Sequence, residues 1–95
     1  QIMDKVKIVE TLKQRGYDEK SANLVANDLL ELKSPLDKYL QEWIDDGIIR
    51  DFKTNNYSIT CLMKERSMTY PAALLTIDWI IKEPDKALKS LISQK

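Results

Sequence analysis

The stretch KQRGYDEKSANLVANDL, residues 13 to 29, closes one helix, turns a corner and opens another. Lys13 to Arg15 end a run in which Val6, Ile8, Val9 and Leu12 recur at helical spacing, which predicts a first helix from about Asp4 to Arg15. Gly16 stands just past its end, where left-handed backbone costs a glycine nothing. Asp18 is then placed to cap a second helix running to about Leu32, with Ala22, Val25, Ala26 and Leu29 as its inner stripe. Tyr17, between stop and cap, has two readings. It packs back onto the helix it follows, which is routine at such a corner, or it belongs to a surface that grips a partner. The packing reading takes precedence.

Downstream, SPLD (residues 34–37) reads as the start of a third helix, with Ser34 as cap, Pro35 at the first helical position and Asp37 beside the positive end. Leu36, Tyr39, Leu40, Trp43 and Ile44 follow at a regular helical spacing until Gly47. Residues 48–56 read either as an irregular connection or as one strand of a small hairpin turning at Asn55-Asn56. Residues 57–63 have a β-favouring composition, yet Ile59, Leu62 and Met63 fit a short helix, and the helix is the preferred reading. Thr69 and Pro71 open a fifth helix to about Lys82, with Ala73, Leu74, Ile77 and Ile81 on one face and Leu75 and Trp79 around the other. A helix apolar on several sides is expected at the centre of a fold. Pro84 ends it and starts a last helix with a narrow stripe of Ala87, Leu88, Leu91 and Ile92. The expected fold is all-α, a small bundle of five to six helices in a single domain, residues 1–95.

Fifteen basic and fifteen acidic residues cancel over the chain. They also cancel locally: six of each in 1–33, five basic and six acidic in 34–66, four and three in 67–95. A nucleic-acid binder carries a basic face or block, and nothing here pushes toward one. With 43 % hydrophobic and 32 % charged residues, the composition is too apolar for disorder. The longest apolar run, Ala72 to Leu75, is far too short for a membrane span. The single cysteine and lack of any targeting signal suggest a reduced, cytoplasmic setting, with Met3 as the natural start.

The helix, RGY corner, helix, loop and helix ending in WI over residues 3–47 resemble a ubiquitin-associated (UBA-like) three-helix bundle. Gly16 and Tyr17 match the family's corner, Ala22 its small packed residue in the second helix, and LDKYLQEWID (36–45) its third helix. The resemblance implies a three-helix subdomain over 3–47, joined to a C-terminal helical group over 57–94, and a partner-binding patch at the corner. Arg15 stands where the family carries methionine, and Trp43-Ile44-Asp45 replaces an aliphatic pair, which argues against ubiquitin as the partner.

Little in the sequence points to chemistry. No histidine is present, and Cys61, with nothing to activate it, reads as a small buried hydrophobe. Glu42, Asp45, Asp46 and Asp51 are the densest acidic cluster, but their spacing matches no calcium loop. A solvated helix end, or a lysine-bearing partner, is the simpler account. The expectation is therefore no catalytic residue, no cofactor and no metal. The function expected is protein–protein interaction by a small adaptor or regulator, with Arg15, Gly16, Tyr17, Trp43 and Trp79 as partner-binding candidates. Self-association is a further option, because the fifth helix is apolar on more sides than one small core requires. The alternative is a DNA-binding transcriptional regulator with a helix-turn-helix-like segment at 57–82. Its second helix, however, has no lysine or arginine before Lys82 to read a groove.

Overall fold

The computed structural model describes residues 4–93. The fold is all-α, with six helices and one short hairpin among the described residues. The chain divides into two compact units, with the boundary between Ile49 and Arg50.

In the first unit, α1 (Lys5–Gln14) begins at Asp4, whose carboxylate accepts the Val6 N–H at 3.0 Å. Ile8 and Leu12, four residues apart and therefore on one face, are its buried residues. Its end is a Schellman motif: the Gly16 N–H donates to the Lys13 carbonyl at 3.1 Å, and the Tyr17 N–H to the Leu12 carbonyl at 3.0 Å. Gly16 has a φ of +104°, which permits this closure and which a β-carbon would strain. α2 (Glu19–Leu29) starts under Asp18, which accepts the Ser21 N–H at 2.7 Å. Buried Ala22 and Ala26 keep its inner face flat, so that α1 can approach closely. It stops three residues short of the Leu32 expected, and Leu32 is buried in the turn that follows. Val25 is only half-buried.

The start of α3 (Leu36–Asp46) differs from expectation. Pro35, not Ser34, occupies the cap position, and no side chain caps the helix. Because proline occupies the cap, the first helical residue becomes Leu36, whose side chain is fully buried with those of Leu40 and Trp43. Burying Leu36 therefore wins over a hydroxyl cap. Gly47 ends α3 in left-handed backbone, φ +71°.

In the second unit, Lys53–Thr54 (β1) and Tyr57–Ser58 (β2) pair antiparallel, Lys53 opposite Ser58 and Thr54 opposite Tyr57. Asn55 and Asn56 both have positive φ, 49° and 71°, which makes the connection a primed turn of the kind that matches strand twist. The hairpin reading of this segment is thus the correct one, with a helix directly after it. Ser58 caps α4 (Ile59–Glu65) by accepting the Cys61 N–H. Asp51 holds the same helix start from outside, accepting from the Thr60 N–H at 3.1 Å and its hydroxyl at 3.0 Å.

The Thr69 hydroxyl oxygen accepts the Ala72 N–H and begins α5 (Tyr70–Lys82), with Pro71 in its first turn where no N–H is required. Tyr70, Ala73, Leu74, Ile77 and Ile80 are buried. Ile81, expected in the core, is half-buried, and Ile80 takes that role. Asp78 is the one buried charged residue among those described, and Lys82 one turn later neutralises it at 2.7 Å. α6 (Pro84–Ser93) buries Ala87 and Leu91 but leaves Ile92 64 % exposed, so the expected four-residue stripe is only half used.

Candidate functional site

Four of the five candidate partner-binding residues lie in the first unit, at the ends of α1 and α3. The side chain of Arg15 leaves the end of α1 and lies over the indole of Trp43, 4.8 Å from the ring centroid. Arg15 is exposed and Trp43 only 3 % exposed, so the guanidinium roofs the tryptophan. The Arg15 terminal nitrogen also comes to within 3.9 Å of where a β-carbon on Gly47 would sit. Two helix ends, each closed by a glycine, are thereby tied by one cation on one aromatic face. Tyr17 is half-buried beside the corner. Arg15, Gly16, Tyr17 and Trp43 thus form one locality, whose exposed components are a guanidinium, a glycine and part of a phenol.

Trp79 belongs to the second unit. It is half-buried on α5, and its indole N–H donates to Glu83 at 3.2 Å.

Two members of the acidic cluster, Asp45 and Asp51, have structural roles. Asp45 pairs with Lys7 at 2.6 Å and accepts from Gln41 at 2.8 Å, so α3's unfavourably charged end is answered by a lysine of α1. The bond from Lys7, then that from Gln41, holds the Asp45 carboxyl below its ordinary range. For Asp51, burial pushes upward but is outweighed by the Thr60 N–H and hydroxyl and the Phe52 and Ile59 N–H groups, leaving it lowered. Among the described residues, no group of three or more histidine, cysteine or carboxylate side chains could hold a metal.

Cys61 is a correction. It is exposed, not buried, because α4 turns Ile59 and Leu62 inward and presents position 61 to the outside. Its thiol faces Glu65, Sγ to Oε2 3.6 Å.

One feature escaped the sequence reading. A cleft of about 450 Å³ opens in the second unit between the hairpin turn, α4 and α6. Tyr57, Leu62, Leu88 and Ile92 supply its apolar lining, and Arg66 and Glu65 its charge. Arg66 donates to the Leu91 carbonyl at 2.9 Å, with its guanidinium 5.8 Å from the Tyr57 ring centroid. The Asn55-Asn56 turn hinted at Tyr57's position. The approach of α6 to α4 is a long-range contact with no local signature.

Among the described residues, no helix is long and apolar enough to cross a membrane. Comparison with protein-family models, with curated proteins and with solved structures finds no match.

Proposed function

We propose that this is a non-enzymatic protein that acts by binding another protein, with the corner Arg15-Gly16-Tyr17 and the adjoining end of α3 as its contact surface. The observation that carries the reading is the Arg15–Trp43 stack beside Tyr17. Arginine, tyrosine and tryptophan are the residues that dominate interface energetics. Here an exposed guanidinium covers a large apolar ring that a partner could uncover by displacing it. The UBA-like reading of residues 3–47 is part of this proposal. It rests on the sequence resemblance carried by Gly16, Tyr17, Ala22 and residues 36–45.

Wild-type protein immobilised as bait should capture a defined partner from its source cells. Lys86→Glu, at an exposed position on α6, should retain it, and Arg15→Glu should lose it. Equal capture by wild type and Arg15→Glu would remove the corner from the interface.

The DNA-binding alternative gains no support. α4, the turn at Ser67 and α5 follow one another as a helix-turn-helix would. Yet α5 buries Tyr70, Ala73, Leu74, Ile77 and Ile80, and its less buried positions Ala72, Leu75, Thr76 and Trp79 carry no cation for phosphate.

A further inference from the structure

We propose that the cleft of the second unit is a docking site for the C-terminal residue of a partner chain, one with an aliphatic side chain and a free carboxylate. The inference rests on reading the protein as one that binds other proteins, though not on the corner being its interface.

The cleft's volume, about 450 Å³, lies within the range of sites that enclose a small group. Its walls divide in character. Leu62, Leu88 and Ile92 form an aliphatic side, and Ile92 remains 64 % exposed although it lines the cleft. A large aliphatic group left that open gains from any apolar occupant. Arg66 is half-buried, and no carboxylate of the described residues lies within ion-pair distance of it. Its partners are a neutral carbonyl, that of Leu91, and the ring of Tyr57, over which its guanidinium lies. Of the five N–H groups of a guanidinium, that carbonyl takes one, which leaves donors in a fork suited to a carboxylate.

The cleft's own carboxylate, Glu65, is exposed and turned toward Cys61 on the preceding turn of α4, so water screens it more than it screens Arg66. The site therefore favours an anion next to an aliphatic group. A C-terminal leucine, isoleucine or valine places both on one residue. Asn55 and Asn56, on the rim, add amide groups for the peptide backbone that precedes it.

The test uses the full chain and three synthetic probes: acetyl-Gly-Gly-Leu with a free carboxylate, the same peptide amidated at its C-terminus, and acetyl-triglycine with a free carboxylate. Binding is read from backbone amide NMR shifts. The free leucine peptide should give saturable shifts at millimolar concentration, confined to residues around Asn55–Tyr57, Arg66 and Leu88–Ile92. Amidation should weaken it about tenfold, the loss of one charge-assisted contact. Replacing leucine by glycine should weaken it about fivefold or more, through lost apolar contact. Because Arg66 also supports the end of α6, Ile92→Ser serves as the variant at an exposed position. It should keep the melting temperature and lose affinity for the leucine peptide several-fold. Absence of saturable shifts, shifts elsewhere, equal binding of the amidated peptide, or an Ile92→Ser protein that binds like wild type would each overturn the proposal. Loss of capture by Arg15→Glu together with silent peptide titrations would sink this inference and leave the corner interface standing.

Discussion

Gly16 shows how much one residue can constrain. Its φ of +104° closes α1 through the Lys13 and Leu12 carbonyls, and no atom lies within 4 Å of the place a β-carbon would take. Any cost of a side chain there is backbone strain, uncomplicated by collision. Gly16→Val should lower the unfolding free energy by about 1–2 kcal/mol, measured by urea titration. A smaller loss would mean that the corner relaxes into another turn. Tyr17 carries the parallel question of packing against binding. Tyr17→Ala should lower the melting temperature, because a half-buried ring contributes packing that alanine cannot replace. An unchanged melt with lost partner capture would make Tyr17 a binding residue instead. For Arg15, truncation to alanine should cost about 0.5–1 kcal/mol, the worth of a cation on an aromatic face. It should also red-shift the fluorescence of Trp43 as water reaches the ring.

The elements of this protein owe their boundaries to short-range polar contacts. Ser58 starts α4 from within and Asp51 from without, so the two-residue strands before it are anchored at both ends. The Asn55-Asn56 turn needs positive φ at both positions. Asn56→Gly should therefore be neutral or stabilising, by up to about 0.5–1 kcal/mol, whereas Asn56→Val should destabilise the hairpin. Thermal melts of the pair decide this, and equal melts would show that the turn is not held in that form. Of these, the two asparagines could be recognised in the chain as turn residues. The inward and outward choices on α4 and α6 could not. Cys61 and Ile92 sit at positions that helical spacing makes equally suitable for burial, and their exposure depends on which neighbours arrive from elsewhere in the chain.

For the molecule as a whole, acid is the informative perturbation. The Ser21 N–H, joined by its hydroxyl, lowers the Asp18 carboxyl, the Lys7 and Gln41 contacts lower Asp45, and the Thr60, Phe52 and Ile59 donors lower Asp51 against its partial burial. A carboxyl whose folded value lies below its unfolded one contributes stability above the unfolded value, here 3.8, and loses it as pH falls through the folded value. The melting temperature should change little from neutral pH down to about 5 and fall steeply below about 4. Asp51→Asn should melt lower at neutral pH and show a shallower acid decline. An identical decline in that variant would remove Asp51 from the account. Charge also bears on partners: with fifteen positive and fifteen negative residues, duplex DNA should not be bound at physiological salt. A complex of micromolar or tighter affinity that weakens steeply with added salt would reverse that expectation.

By itself, the sequence determined the helical class, the two glycine stops and the helix starts at Asp18 and Thr69. Each depends on interactions within a few residues, where side-chain type and spacing suffice. Only the tertiary structure decided that Pro35 rather than Ser34 begins α3, because burying Leu36 outweighs a local cap. It also decided that Asp45 meets Lys7 and Arg15 roofs Trp43, pairs brought together by the return of α3 to α1 across 28 to 38 positions of chain. The cleft beside Arg66 has the same origin. Its walls come from three elements that no local pattern joins, and a concave surface exists only once they have met.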